Sequence, residues 1–151
     1  MSDRIEKEIA LKAPVARVWR ALTYYREFGE WFGVRIDGPF VLGEVSRGSK
    51  TSPGCENLKW QATIVAMEAE KRFAYRWHPY PADREADYAT KPTTLVEFTL
   101  EAKGNGTVLR VTESGFDALA AAQRAEAFPM HETGWTMQMK NLVQHLGETV
   151  S

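Results

Sequence analysis

The sequence contains a single cysteine, Cys55, which excludes an internal disulfide and fits a reducing compartment. Nineteen Lys and Arg residues against twenty Asp and Glu residues give a net charge of -1, so the basic excess of nucleic-acid-binding proteins is missing. No uncharged run approaches the roughly 20 residues that cross a bilayer, and no apolar signal-peptide stretch follows the polar start. Three histidines and one cysteine at irregular spacing give no metal-ligand pattern. The sequence therefore predicts a cytoplasmic protein without a nucleic-acid partner, membrane insertion, metal or cofactor.

The residues that are present suit one compact domain. Of the 151 residues, 44% are hydrophobic and 11% are aromatic. A chain of this length buries roughly 68–70% of its unfolded surface, which is enough to build a core without disulfides or metals. We therefore expect a single domain over residues 1–151.

Alternating apolar and polar residues predict six strands, and apolar residues three and four apart predict the helices. The predicted strands cover residues 4–12, 40–46, 58–69, 72–78, 93–102 and 107–114. Two short helices are expected after the first strand, and Gly29 should break or bend the second of them, over Tyr24–Phe32. A helical run over 116–127 is followed by Pro129, which should restart a long C-terminal helix.

The connections predict how these elements assemble. Gly104-Asn105-Gly106 favours a tight hairpin, and it precedes a strand rather than a helix, which excludes a dinucleotide-binding loop. An antiparallel sheet must cover its apolar face, and the C-terminal amphipathic helix is long enough to do so. The predicted fold is α+β: a curved antiparallel six-stranded sheet around a long C-terminal helix. We expect unfilled space between them, with Arg47–Asn57 and Pro79–Pro92 as its gates or as surface loops.

Four segments resemble one known family in residues and in order. Ala13–Thr23 is similar to its Pro-x-x-x-Val-Trp-x-Ala-Leu-Thr opening, and Glu68–Trp77 to its central hairpin that ends in aromatic-x-Trp. Gly106–Phe116 resembles its last strand with a Ser-Gly-Phe exit, and Gly134-Trp135 resembles the opening of its long helix. The chain thus resembles the START-like (helix-grip, SRPBCC or Bet v-like) superfamily. Within it, the chain resembles the family named for the activator of heat shock protein 90 ATPase, whose bacterial members are single domains.

The resemblance implies a helix-grip fold with a hydrophobic cavity that binds small, often aromatic or lipid-like molecules. It implies no reaction, because the superfamily includes carriers, cyclases, hydrolase-like enzymes and co-chaperones, and fold does not settle function. The eukaryotic co-chaperone has a separate N-terminal domain for chaperone binding, for which 151 residues leave no room. We therefore expect a small molecule rather than a chaperone as the partner, and a monomer or weak homodimer.

Alternation along the strands, and one-turn spacing on the long helix, predict which side chains face the cavity. The residues predicted to contact a ligand are Trp60, Tyr75, Trp77, Phe98, Glu113, His131, Trp135 and Met139. The inward position of Trp60 depends on a bulge in the third predicted strand. Aromatic side chains suit a flat ligand, but at core spacing they also fit plain core packing.

Glu113 is the polar exception on an apolar strand face. It lies either at the rim, solvated or capping the next helix, or in the cavity as a ligand anchor or a general acid or base with a raised pKa. His131 is either a surface residue or a partner of Glu113, and with Tyr75 the two would suit proton abstraction beside a carbonyl. The alternatives to ligand binding are therefore a polyketide-cyclase or hydrolase-like enzyme using Glu113 and His131, and a co-chaperone or protein-interaction module. No residue is assigned as catalytic.

Overall fold

The computed structural model describes residues 4–51, 59–79 and 92–147. Over these residues the chain forms a seven-stranded antiparallel sheet, three α-helices and one 3-10 turn. The strands are β1 (Arg4–Leu11), β2 (Val34–Ile36), β3 (Val45–Lys50), β4 (Lys59–Glu68), β5 (Arg72–Trp77), β6 (Thr94–Lys103) and β7 (Gly106–Ser114). The helices are α1 (Val15–Thr23), α2 (Tyr25–Phe32) and α3 (Ala121–His145), and the 3-10 turn covers Phe116–Ala118.

The sheet is curved and wraps around α3, which confirms the predicted α+β helix-grip fold. Its strand order is β1-β7-β6-β5-β4-β3-β2, so β2 to β7 follow one another as a meander and β1 closes the far edge beside β7. One row across the inner face is set by register: Tyr75 pairs with Val96, Val96 with Glu113, and Glu113 with Ile5. This row lies against α3, whose Trp135, Met139 and Leu142 are buried in the same core.

Two polar contacts fix α3 to α2 at different points along the helix. The side chain of Gln138 donates from Nε2 to the carbonyl of Phe32 at the end of α2, at 2.9 Å. Near the end of α3, His145 Nε2 lies 2.8 Å from a carboxylate oxygen of Glu27 on α2. The helix is therefore held in place by directional contacts as well as by apolar packing.

The strand prediction was wrong in two places. The sheet has seven strands rather than six, because the three residues of β2 pair with β3 and are too few to show alternation. The second predicted strand, 40–46, is displaced to β3, so the beginning of the predicted Arg47–Asn57 loop is paired with both neighbours. Gly48 explains this: a Cβ there would lie 2.1 Å from the carbonyl oxygen of Arg35, so only glycine permits this pairing.

The bulge in β4 is present, between Ile64 and Ala66. It leaves Trp60 buried on the inner face, as predicted. Residues 52–57 and 80–91 of the two predicted gate loops, Cys55 among them, lie outside the described residues.

Both predictions about helix interruption were wrong. Gly29 lies inside an unbroken α2, where a Cβ would be 2.4 Å from the carbonyl oxygen of Val34, so glycine serves close packing of the helix on β2. Pro129 lies inside α3 rather than at a helix start, and the run before it is reduced to the 3-10 turn and the first turns of α3. Pro129 and Ala125, whose carbonyl it cannot pair with, are both exposed, so water can satisfy that carbonyl.

Candidate functional site

Aromatic rings from both layers meet between α3 and the inner face of the sheet. We call the following set the aromatic cluster: Phe28, Phe32, Trp60, Tyr75, Trp77, Phe98 and Trp135. The ring centroids of Tyr75 lie 5.4 Å from Trp60 and 5.3 Å from Trp77, and the ring of Phe98 lies 5.7 Å from that of Trp135. Trp77 is half-buried and forms the outer part of the cluster, whereas Tyr75 at its centre is fully buried.

The sequence placed five members of this cluster on the inner surface correctly and missed two. Phe28 and Phe32 belong to α2, which sequence reasoning treated only as a short helix. They stack at 4.8 Å, and the ring of Phe32 lies 5.5 Å from that of Trp60. The available signal was their spacing of four residues, which places both on one helix face. Met139, also predicted, is buried on α3.

Glu113 is fully buried beside this cluster and accepts from side chains of three elements. Its Oε2 accepts from Trp77 Nε1 at 2.8 Å and from Thr94 Oγ1 at 2.5 Å. Its Oε1 accepts from Trp135 Nε1 at 2.8 Å and lies 2.7 Å from His131 Nδ1. The interpretation of Glu113 as a solvated rim residue or helix cap was therefore wrong, because each carboxylate oxygen has two partners and the side chain is not exposed to water.

His131 completes this network and fixes its proton count. Its Nε2 lies 2.8 Å from the carbonyl oxygen of Pro79, and a carbonyl only accepts, so Nε2 carries a proton. One further proton lies in the contact between Nδ1 and Glu113, and the pair is neutral overall. Burial raises the pKa of Glu113, but the hydrogen bond and charge of His131, with bonds from Thr94 and Trp135, outweigh it and leave this pKa below its ordinary value. The pair is therefore a carboxylate facing an imidazolium, and the raised pKa expected for an acid–base role was wrong.

Tyr75 contributes another polar group to the cluster. Its hydroxyl oxygen is the buried side-chain polar atom without a hydrogen-bond partner in the described part of the chain. Burial, and then the charge of Glu113, raise the pKa of this phenol well above 10, so the hydroxyl stays protonated and can donate. Of the predicted trio, Glu113 and His131 are therefore paired, and Tyr75 is bonded to neither.

This arrangement favours positioning over proton transfer. A general base needs a lone pair directed at the substrate, and the four acceptor sites of the Glu113 carboxylate are already used. What the carboxylate does is to fix the indoles of Trp77 on β5 and Trp135 on α3 in one orientation. Residues 4–51, 59–79 and 92–147 contain no group of three or more potential metal ligands. The same residues form no helix that is long and apolar enough to cross a membrane.

A curved antiparallel sheet around a C-terminal helix, with an aromatic interior between them, defines a START-like (SRPBCC) domain. Residues 12–147 match the sequence profile of the family described as Activator of Hsp90 ATPase homolog 1-like protein, and the chain belongs to this family. A search of curated protein sequences found no match.

Solved structures share this fold at low sequence identity. Protein MLL2253 from Mesorhizobium loti is 26% identical with a TM-score of 0.75, over 98% of this chain and 99% of that one. The Aha1 dimer from Colwellia psychrerythraea is 22% identical with a TM-score of 0.66, over 94% and 93%. DynU16, described as a putative protein in the dynemicin biosynthetic locus, is 22% identical with a TM-score of 0.73 over 97% of this chain. The chain spans 48% of DynU16, about half its length.

Proposed function

We propose that this protein binds a small hydrophobic or aromatic molecule between α3 and the inner face of the sheet. The observation that carries the proposal is the buried, unpartnered hydroxyl of Tyr75 at the centre of the aromatic cluster. More than about 90% of buried polar groups in proteins have a partner, and each exception calls for an explanation. A ligand seated among these rings would supply the missing acceptor.

The aromatic cluster is suited to exchanging one ring contact for another. Several of its rings meet edge-to-face or tilted at 5–6 Å rather than in one interlocked stack, for example Tyr75 with Trp77 at 5.3 Å and 74°. Such ring pairs contribute about 0.5–1.5 kcal/mol beyond burial, so a flat ligand that separates two rings replaces contacts of similar strength. The half-buried Trp77 is the member that a ligand would reach first from outside.

The hydrogen bonds of Glu113 favour a binding site over a catalytic one. The 2.7 Å contact between Glu113 and His131 is the feature that would favour an enzyme. The saturated carboxylate counts against it, because each donor that left Glu113 to free a lone pair would itself become unpaired in the interior. We therefore assign Glu113 and His131 as positioning residues of the binding site rather than as catalytic residues.

Titration of the labelled protein with flavone, 9-fluorenone and oleic acid tests the proposal. Indole N–H resonances, assigned with single Trp→Phe variants, report on each tryptophan. We expect shifts at Trp60, Trp77 and Trp135, with an increase in melting temperature by mass action. Trp19 lies on α1 outside the aromatic cluster and serves as the internal control. Unchanged spectra with all three probes at near-millimolar concentration would remove the proposal.

A further inference from the structure

We infer that the ligand is a neutral, planar molecule whose carbonyl oxygen accepts a hydrogen bond from Tyr75, as in an aromatic ketone or quinone. This inference rests on the proposed function and narrows it to a chemical class. It is derived from the hydrogen-bonding groups that surround the centre of the aromatic cluster.

The need for an acceptor follows from what Tyr75 and Glu113 can offer. The Tyr75 hydroxyl is fully buried and has no partner, so its proton requires an acceptor. A ligand hydroxyl at the same place would accept that bond but bring a further proton into the interior. The strongest acceptor nearby, Glu113, has no site left for it. A carbonyl oxygen satisfies Tyr75 without adding a donor.

The neutrality of the ligand follows from the charges in the same space. Glu113 and His131 already compensate each other, and neither has a free contact for a further charge. A ligand carboxylate beside Tyr75 would be buried without a counter-charge, which is strongly unfavourable. The ammonium of Lys50 lies at the edge of the cluster, 5.9 Å from the centre of the Phe32 ring. An anionic ligand would be attracted toward Lys50 rather than toward Tyr75. We therefore expect neutral and anionic ligands to bind with different affinities.

The planar shape follows from the rings around Tyr75. Trp60, Trp77 and Phe98 lie between 5.3 and 6.3 Å from it, centroid to centroid, so they enclose its ring on several sides. A flat molecule can insert by separating two rings, whereas a bulky one must displace more of them.

Four tricyclic probes that differ at one carbon test this inference: fluorene, 9-fluorenone, 9-fluorenol and fluorene-9-carboxylate. Calorimetric titration of the wild type should rank 9-fluorenone first. Its affinity should exceed that of fluorene by about 2- to 12-fold, the value of one net hydrogen bond. Tyr75→Phe should bring this ratio to 1 or below without weakening fluorene. Tyr25→Phe is the matched control, because the Tyr25 hydroxyl accepts from exposed Arg26 on the surface, and it should keep the wild-type ratio.

The outcomes separate the inference from the proposal beneath it. If none of the four probes binds, the proposed function fails together with the inference. If the probes bind but the ratio is the same in wild type and Tyr75→Phe, only the inference fails. Tightest binding of fluorene-9-carboxylate would also overturn it and would point to an anionic ligand near Lys50. A preference for 9-fluorenol would overturn it by showing that a ligand proton finds an acceptor.

Discussion

Replacing Glu113 with Gln should destabilise this protein far more than a typical surface substitution. The side-chain amide keeps one acceptor oxygen and puts an NH₂ group where the other oxygen was. Whichever way the amide is turned, one indole N–H then faces another donor, because an indole only donates, whereas a hydroxyl or a neutral imidazole nitrogen can accept from the NH₂ group. The choice is between losing the Trp77 bond beside Thr94 and losing the Trp135 bond beside His131. In both cases the carboxylate that balances the His131 imidazolium is gone.

The size of the effect can be worked from these contacts. Each hydrogen bond to a charged group contributes about 1.5–3 kcal/mol, and breaking a buried ion pair by removing one partner costs about 3–5 kcal/mol. We expect Glu113→Gln to lower the free energy of unfolding by about 3–5 kcal/mol. For a chain of this length that corresponds to a decrease in melting temperature of roughly 6–20 °C. Since domains are stable by about 5–15 kcal/mol, this loss would bring a wild type at the low end of that range near the limit of folding.

Urea unfolding followed by tryptophan fluorescence and circular dichroism measures this loss. Glu97→Gln is the control, because Glu97 forms a half-exposed ion pair with Arg72 on the outer face of β6 and should change stability by less than about 1 kcal/mol. Thr94→Val removes a single donor and should cost about 1–3 kcal/mol, so it tests the reasoning even if Glu113→Gln does not fold. Equal effects of Glu113→Gln and Glu97→Gln would refute the reasoning.

The pH dependence provides a second measurement on the same variant. The pKa of Glu113 is lowered in the folded state, so its contribution is present above its ordinary value of 4.5 and is lost as pH falls through the lower folded value. The gap in stability between wild type and Glu113→Gln should therefore narrow as the pH falls below about 4.5. The pKa of Glu27 is lowered as well, but Glu27 is present in both proteins and cancels from the difference. A gap that widens below about pH 4.5 would contradict the assignment of an ionised Glu113.

Two further predictions concern buried positions, one with a hydroxyl that has no hydrogen-bond partner and one with no space for a side chain. Tyr75→Phe removes a hydroxyl without a partner, so the free energy of unfolding measured in urea should stay the same or rise by up to about 1 kcal/mol. The raised pKa of Tyr75 should make the wild type lose stability above pH 10, and this loss should be absent from the variant. A decrease in the free energy of unfolding by more than about 1 kcal/mol would mean that the hydroxyl is bonded in the free protein. Gly29→Ala should destabilise the protein by about 1–3 kcal/mol, because its Cβ would lie 2.4 Å from the Val34 carbonyl oxygen. Gly134→Ala, in open space on α3, should stabilise it by about 0.5–1 kcal/mol in the same urea unfolding experiments. Equal effects of both substitutions would show that helix propensity alone decides.

The sequence was most informative where one strand face repeats every second residue. Alternation on β5, β6 and β7 placed Tyr75, Phe98 and Glu113 on the inner face, and the structure has all three buried there. Glu113 stood out because a carboxylate on an apolar face requires either solvent or partners. The alternation of side chains along the strand, together with the free-energy cost of burying a carboxylate, was therefore enough to identify Glu113 but not its hydrogen-bond partners.

What the sequence could not specify depends on how separate elements pack. The 2.7 Å contact of His131 with Glu113 joins residues 18 positions apart and depends on how far along the sheet α3 lies. The second contact of His131, with the carbonyl of Pro79, has no side-chain signal at all. The polar strand β3 was misplaced for the same reason, because its residues are ordered by pairing with β2 and β4 and not by an apolar face of their own.

The Glu113 carboxylate and the Tyr75 hydroxyl differ in how far their hydrogen-bonding capacity is used, and this difference decides their roles. A ligand that enters between a sheet and a helix must separate rings that otherwise hold the two layers together. Directional bonds from Glu113 to Trp77 and Trp135 keep the layers in register at one end, and the bond from Gln138 to the Phe32 carbonyl keeps α3 attached to α2. A carboxylate with four donors can supply such a fixed point because it is saturated. The hydroxyl of Tyr75 is suited to a ligand for the opposite reason, since it can form its first hydrogen bond only when an acceptor arrives.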